Sequence, residues 1–127
     1  MNNKILAVGF LMITIFLLSA ASCSKPAGFD TEQKVALAKH LTDSGIKLYG
    51  AFWCGHCGDQ KNLFGEEAFQ YIDYTECSTP DGTAQTEVCI EEGITSYPTW
   101  EFANGERIFG VYPLKELAEK SGFNTDK

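Results

Sequence analysis

Two cysteines separated by two residues, Cys54 and Cys57, lie at the junction between a strand pattern and a helix pattern. Residues 46–52 before them form a short apolar run that predicts a buried strand. After Cys54 the apolar residues recur at helical spacing as far as Phe69. The start of a helix has unpaired N–H groups and the positive end of the helix dipole, so a sulfur there is carried as a thiolate more readily than in a free cysteine. The junction therefore predicts a reactive cysteine pair.

The spacing of the two cysteines allows them to act together. Cys57 lies about 300° around a helix from Cys54 and about 4.5 Å along its axis, so the two sulfurs share one face and can form a disulfide. In thiol–disulfide exchange one thiolate attacks a substrate disulfide and a second cysteine resolves the mixed disulfide. We expect Cys54 to attack and Cys57 to resolve.

His56 lies between the two cysteines and can be cationic near neutral pH. A positive charge near Cys54 would stabilise the thiolate, and with it the reduced form, and would make the disulfide more oxidising. The sequence therefore predicts that His56 tunes the redox potential. The alternative is that His56 is only a solvated residue at the start of a helix.

Cys77 and Cys89 complete an even number of cysteines beyond the N-terminal region, which in an oxidising compartment indicates disulfides. Four cysteines allow three pairings, but Cys54 and Cys57 are close enough to pair, which leaves Cys77 with Cys89. Such a disulfide would raise the free energy of unfolding by about 2–3 kcal/mol, and a redox relay is the alternative role for this pair.

A zinc site is the rival interpretation of the cysteines, but structural zinc usually needs a second close pair of ligands. We expect no metal and no cofactor.

The first 22 residues are typical of a secretory signal peptide. Lys4 precedes an apolar stretch, residues 5–18, which is followed by small residues up to Cys23. As a helix this stretch would be about 21 Å long, short of the roughly 30 Å hydrocarbon core, although an uncleaved membrane anchor is the alternative. We predict a signal peptide of lipoprotein type over 1–22, a tether over 23–30, a single domain over 31–123 and a C-terminal tail over 124–127.

Cys23 resembles the lipidated cysteine of bacterial lipoproteins, which follows a run of small residues. Ala20 stands where that family usually has Leu. The resemblance implies a lipid anchor that tethers the domain to a membrane in the bacterial periplasm or cell envelope. The alternative is a spare cysteine in a signal peptide that is cut elsewhere.

The charge balance excludes one class of partner. The chain has 10 Lys and Arg against 17 Asp and Glu, a net charge of −7. Without the signal peptide, and so without Lys4, the charge is more negative still. An acidic domain is poorly suited to phosphate backbones, so nucleic-acid binding is excluded.

The order of the predicted elements indicates an α/β fold. Strand–helix–strand units followed by a hairpin give a mixed sheet with helices on both faces. The Asn104–Gly105 step is a strong hairpin signal, and Pro113 suits the first position of a last helix. The predicted elements are a helix over 31–41, a strand over 46–52, a helix from Cys54, a strand over 71–76, a helix over 84–92, strands over 99–103 and 107–111, and a helix from Pro113.

Over residues 34–123 the sequence resembles the thioredoxin superfamily. The resemblance is carried by residues 53–57 (Trp-Cys-Gly-His-Cys) and by residues 93–99 (Gly-Ile-Thr-Ser-Tyr-Pro-Thr). It implies a thioredoxin-like fold, with a mixed central sheet of about four strands flanked by helices. It also implies a cis peptide at Tyr97–Pro98 facing the cysteines, and a substrate groove formed by Trp53, Tyr97 and Pro98. Cys-Gly-His-Cys is similar to the active site of protein disulfide isomerases.

The sequence is also similar to the thioredoxin-like domain fused to bacterial and plant homologues of vitamin K epoxide reductase. The similar segments are residues 49–54, 74–77, 84–86 before Cys89, 97–101 and 114–118. The resemblance implies that electrons pass from folding substrates through the active pair to a membrane portion and on to quinone, and that Cys77 and Cys89 form a second disulfide. We expect any such membrane oxidase to be a separate protein. Leu48 departs from thioredoxins and isomerases, which place a buried acid there to assist proton transfer at the second cysteine.

Together these features predict an extracytoplasmic thiol–disulfide oxidoreductase that exchanges disulfides with exported cysteine-containing proteins. The favoured direction is oxidation, with a quinone-linked membrane oxidase regenerating the disulfide. A reductase or isomerase on the same fold is the first alternative. A non-catalytic lipoprotein with two structural disulfides is the second.

Overall fold

The computed structural model describes residues 28–124. The predicted signal peptide, Cys23, most of the tether and residues 125–127 lie outside the described residues. Among residues 28–124, no helix is long and apolar enough to cross a membrane. In chain order the described elements are α1 (Thr31–Asp43), β1 (Lys47–Gly50), α2 (Gly55–Phe64), α3 (Glu66–Phe69), β2 (Asp73–Glu76), α4 (Glu87–Glu91), β3 (Thr99–Glu101), β4 (Arg107–Phe109) and α5 (Leu114–Ser121).

The strands form one mixed sheet in the order β2-β1-β3-β4. β1 runs parallel to β2 and antiparallel to β3, and β3 and β4 form an antiparallel hairpin. In this register Leu48 lies opposite Trp100, which in turn lies opposite Ile108. The prediction of an α/β fold with a mixed four-stranded sheet flanked by helices is confirmed.

The main core lies on the sheet face that carries Leu48, Trp100 and Ile108. Helices α1, α2, α3 and α5 cover this face with buried apolar side chains, among them Leu37, Leu41, Phe64, Ala68, Leu117 and Ala118. Helix α1 begins where the sequence predicts, because the side chain of Asp30 accepts from the Gln33 N–H and the side chain of Gln33 accepts from the Asp30 N–H.

A smaller cluster lies on the opposite face, because successive side chains of a strand alternate in direction. Tyr49 follows Leu48 in β1 and packs with Cys77, Cys89 and Ile94. Cys89 belongs to α4, so this short helix covers the second face near the C-terminal end of β1.

Each predicted strand was longer than the observed one, and three helix boundaries were wrong for a visible structural reason. The helix after Cys54 is divided at Gly65, whose φ of 78° lies outside the helical region, so α2 and α3 are separate. Helix α4 begins only at Glu87, because Gln85 is held by a β-bridge to Ser78. Pro113 is the N-cap of α5 rather than its first helical residue, since its ψ of 142° is extended.

Candidate active site

Cys54 occupies the N-cap of α2, just beyond the end of β1. A backbone hydrogen bond from the Cys54 N–H to the Ala51 carbonyl (3.0 Å) closes the turn that leads out of the strand. The sulfur accepts from the Cys57 N–H at 3.3 Å, so it takes the role that a serine or aspartate oxygen has in an ordinary helix cap. Its S–H points to the Tyr97 carbonyl at 3.8 Å. The half-buried Cys54 is therefore positioned by both a helix N-terminus and the loop before Pro98.

Cys57 lies beneath Cys54 and is 2% exposed. Both thiols are free in this structure. Burial, together with a hydrogen bond to Cys54, raises the pKa of Cys57 from 9.0 to about 12, although a backbone hydrogen bond from Ala51 and the charge of Lys61 act in the opposite direction. The inner thiol is thus kept protonated at neutral pH, whereas the outer sulfur is accessible. This difference in accessibility fits an attacking Cys54 and a resolving Cys57.

The Tyr97–Pro98 peptide bond is cis, and Pro98 is buried next to the cysteine pair. Trp53 is 57% exposed and packs edge-on against Tyr97, with ring centroids 5.9 Å apart. The structure thus brings the three predicted groove residues together at one end of the sheet. A cavity of about 460 Å³ adjoins Trp53 and Tyr97.

The far wall of this cavity is formed by residues 82–85, which the sequence analysis did not assign to the site. A Cβ on Gly82 would lie 3.5 Å from the Phe52 ring and 3.7 Å from the Trp53 ring, so the loop packs against the exposed aromatic side chains. Gln85 donates to the Tyr97 hydroxyl at 2.8 Å. In the sequence this loop is marked by the Asp81–Gly82 turn, which gives no indication of what the loop packs against.

A disulfide joins Cys77 to Cys89, with Cα atoms 5.5 Å apart. Both residues are fully buried, and Cys77 also lines the cavity. The disulfide closes the segment that contains the cavity wall, since it joins the end of β2 to α4.

His56 lies at the surface, with its side chain 78% exposed and its Nδ1 3.7 Å from Asp59 Oδ2. An exposed pair of this kind contributes little to stability. Its relevance is electrostatic, because the carboxylate offsets the charge that a protonated His56 would present to Cys54. The tuning role of His56 stays a prediction.

Gln60 is a structural residue of the site that the sequence analysis missed. It lies on α2 and is fully buried. Its Oε1 accepts from the Tyr112 N–H (2.7 Å) and from Trp100 Nε1 (3.4 Å), while its Nε2 donates to the Tyr112 carbonyl (3.1 Å). These bonds fasten the cysteine-bearing helix to β3 and to the segment before α5. A glutamine at a helical position has no pattern that would reveal such partners.

The described residues contain no group of three or more His, Cys, Asp or Glu side chains placed to hold a metal ion.

No protein-family model matches the chain. The chain is 40% identical over 123 residues to thiol-disulfide oxidoreductase LTO1 of Arabidopsis thaliana, a match that covers 94% of this chain and 31% of the relative. It is 34% identical over 104 residues to the probable protein disulfide-isomerase ER-60 of Schistosoma mansoni, covering 76% of this chain and 21% of that protein. The chain thus spans less than a third of either relative. Together with the sheet and its helices, these similarities show a thioredoxin-like fold and support an oxidoreductase enzyme.

Proposed function

We propose that the protein is an extracytoplasmic thiol–disulfide oxidoreductase that introduces disulfides into exported proteins through its Cys-Gly-His-Cys pair. The observation that carries this proposal is the arrangement of the two thiols. Cys54 is accessible at the N-terminus of α2, and Cys57 is buried directly behind it. A purely structural pair would not need an accessible outer sulfur beside an aromatic groove.

In the oxidising direction a substrate thiolate attacks Cys54 of the Cys54–Cys57 disulfide. A substrate–Cys54 disulfide forms, the Cys54–Cys57 bond breaks, and Cys57 leaves as a thiolate that takes up a proton. A second substrate thiolate then attacks the substrate sulfur and releases Cys54. The substrate loses two electrons, which the enzyme pair retains as two thiols.

The groove supplies the binding surface for this exchange. The substrate backbone would lie along the loop before Pro98, close to the Tyr97 carbonyl, with a side chain in the cavity beside Trp53. The cavity is lined by neutral side chains, so a range of unfolded peptides could occupy it.

The location and the electron acceptor are supported by sequence features. The apolar N-terminal stretch and Cys23 favour export and a lipid anchor in the bacterial periplasm or cell envelope. The resemblance to domains fused to vitamin K epoxide reductase homologues favours a membrane oxidase that passes electrons to quinone. In our proposal exported cysteine-containing proteins are the substrates.

The reduction potential of the Cys54–Cys57 pair in glutathione buffers tests the direction. Known redox proteins range from about −270 mV for thioredoxin to about −120 mV for strong oxidants. We expect a value above about −200 mV. A value near −270 mV would instead favour the reductase alternative, since a strongly reducing pair cannot drive net oxidation of exported thiols.

Thiol exchange itself is tested with two variants. Cys54→Ser should abolish exchange with a peptide disulfide, whereas Cys57→Ser should accumulate a mixed disulfide on Cys54. A wild-type chain that leaves insulin disulfides untouched and whose Cys54–Cys57 bond resists mild reductant would contradict the proposal in favour of a non-catalytic lipoprotein.

A further inference from the structure

A hydroxyl and a carboxylate from β2 lie behind the buried thiol. A Cβ placed on Gly50 of β1 would lie 3.0 Å from Cys57 Sγ and 3.0 Å from the Tyr74 hydroxyl. The thiol and the phenol therefore flank the same point on the strand backbone, and only a glycine leaves the gap between them open. Gly50 and Cys57 are buried, and Tyr74 is half-buried.

The Tyr74 hydroxyl donates to Glu76 Oε2 at 2.9 Å. The other carboxylate oxygen, Oε1, accepts from the Phe52 N–H (3.1 Å) and the Ser78 N–H (3.0 Å). Glu76 is thus held by two backbone N–H groups through Oε1, while Oε2 accepts from the phenol.

The chemistry of the site calls for a proton acceptor in this position. Cys57 is buried and protonated, so it must lose its proton when it resolves a mixed disulfide. Leu48, which stands where thioredoxins have an acid, is packed in the main core and carries no ionisable group. Lys61 lies with its Nζ 4.2 Å from the centroid of the Tyr74 ring and favours the thiolate of Cys57, but a cation cannot accept the proton.

Tyr74 is suited to pass a proton on. Burial, followed by the hydrogen bond to Glu76 and its negative charge, holds the pKa of Tyr74 well above its usual value. The phenol is therefore uncharged, and it can accept a proton only while it donates its own to Glu76.

We propose that Tyr74 carries the proton of Cys57 to and from Glu76, and that this pair replaces the buried acid that Leu48 displaces. The inference rests on the proposed function, since it needs a resolving Cys57. Tyr74 is the group next to the reacting thiol, and Glu76 is a positioning residue that acts through it. In this proposal the proton crosses the gap between thiol and phenol either directly or through one water, both of which general acid–base catalysis allows.

The step balances in both directions. When Cys57 resolves a mixed disulfide, a Cys57–Cys54 bond forms, the Cys54–substrate bond breaks and its electron pair leaves on the substrate sulfur. The Cys57 proton passes to Tyr74 and the Tyr74 proton to Glu76. When a substrate thiolate opens the Cys54–Cys57 disulfide, the same protons move back to the departing Cys57 thiolate.

Four titratable or charged side chains surround this gap: Cys54 and Lys61 from the α2 region, and Tyr74 and Glu76 from β2. The other two elements contribute uncharged groups, which are Gly50 of β1 and the Phe69 ring of α3.

Two-phase kinetics test the proposal on the full chain, in a Cys23→Ser background so that only the active pair reacts. The reduced chain is mixed with one equivalent of 5,5′-dithiobis(2-nitrobenzoate), and the released nitrothiophenolate is followed by stopped-flow absorbance. The first release reports attack by Cys54, and the second reports resolution by Cys57. Both are measured from pH 6 to 10.

Glu76→Gln is the sharpest variant. Its amide oxygen can still accept from Phe52 and Ser78, but its amide nitrogen cannot accept from Tyr74. We expect the second release to slow about tenfold or more at pH 7 with the first unchanged, and the deficit to shrink as hydroxide becomes available. Tyr74→Phe should give the same deficit, and the double variant should be no slower than either single one.

Thr86→Val is the matched control, because the Thr86 hydroxyl contacts only the backbone carbonyl of Glu76 (3.2 Å). It should leave both phases at wild-type rates. Wild-type second-phase rates in Glu76→Gln and Tyr74→Phe at every pH would overturn the proposal, as would equal slowing of both phases, which indicates a disturbed groove. If Glu76→Gln does not fold, Tyr74→Phe carries the test. A wild-type chain that releases no second equivalent would instead overturn the proposed function.

Discussion

At the scale of the residue, Cys57 and His56 show how neighbouring positions on one helix turn meet different environments. Cys57 points inward, where loss of water disfavours its thiolate. His56 points outward, with its Nδ1 3.7 Å from Asp59 Oδ2. In the proposed reaction the inner position bears on proton release, and the outer position bears on the field around Cys54.

The His56–Asp59 pair gives a test with opposite signs. His56→Pro should make the disulfide less oxidising, because it removes a positive charge near Cys54, and proline is tolerated in the first turn of a helix. Asp59→Asn should make the disulfide more oxidising, because it frees that charge. We expect shifts of about 30 mV, equivalent to about 1.4 kcal/mol, in glutathione redox titrations. Unchanged reduction potentials in both variants would show that His56 does not tune the potential of the cysteine pair.

The raised pKa of Cys57 predicts a pH dependence of stability. The folded chain retains the Cys57 proton up to about pH 12, whereas the unfolded chain loses it near 9.0. Between these values the unfolded state binds fewer protons, so the free energy of unfolding must fall as pH rises. Urea unfolding of Cys54→Ser should show a steeper fall above pH 9 than that of Cys54→Ser/Cys57→Ser, in which Tyr49 and Tyr74, whose pKa values are also raised, still contribute. Parallel pH profiles of the two variants would contradict the prediction.

At the scale of the element, α2 is fastened to the fold mainly from its buried side. The intrinsic helix propensity of α2 is low, because Gly55 and Gly58 lie in its first turns and glycine is a poor helix former. Phe64 packs against Trp100, with ring centroids 6.2 Å apart, and Gln60 binds the same strand and the segment before α5. The position of the cysteines therefore depends on contacts distant in sequence.

Gln60→Leu should test this dependence. It removes the partners of the Tyr112 N–H and of Trp100 Nε1 inside the core, which costs about 1–3 kcal/mol for each group left unpaired. Urea unfolding should show a loss of that size, whereas Asn62→Ala, on the exposed side of α2, should change stability by less than about 0.5 kcal/mol. Equal stability of Gln60→Leu and wild type would mean that the helix is held by apolar packing alone.

The disulfide between Cys77 and Cys89 fixes the cavity wall rather than the reacting sulfurs. Cys77→Ala/Cys89→Ala should lower the free energy of unfolding by about 3 kcal/mol, which is the value expected for losing a disulfide that closes a loop of this length. Exchange with glutathione should be unchanged, because it does not need the groove, while KM for a peptide substrate should rise. A loss of glutathione exchange in the folded variant would favour the relay role instead.

The elements that were predicted well are those whose signals are local. The capping residues of α1, the turn at Asn104–Gly105 and the junction at Cys54 all lie within a few residues of the features that they control. The partners of Gln60 and the position of Tyr74 near Cys57 arise only when segments distant in sequence meet. Periodicity reports which face of an element is buried, but not which polar groups meet there.

At the scale of the whole molecule, the chemistry is concentrated at one end of the sheet. The active-site loop follows β1, the cavity wall follows β2 and the cis-proline loop precedes β3. In an α/β fold the ends of central strands are the usual place for a binding site.

The proposed lipid anchor is a property of the whole molecule and has its own test. The chain isolated from membranes should carry an acyl-modified Cys23 as its N-terminal residue, detected by mass spectrometry of the intact protein. Cys23→Ser should lack this modification and leave thiol exchange unchanged. An unmodified N-terminus that begins elsewhere would mean that Cys23 is a spare cysteine.

Because the buried Cys77–Cys89 disulfide anchors the cavity wall, the groove depends on the redox conditions that surround the chain. In a cytosol that keeps thiols reduced, the segment that carries the cavity wall has no covalent anchor, so a newly made chain would have its reactive pair without a complete docking surface. Only after transfer to an oxidising compartment would the wall be fastened. The protein would then bind peptide substrates more weakly in a reducing compartment than in an oxidising one.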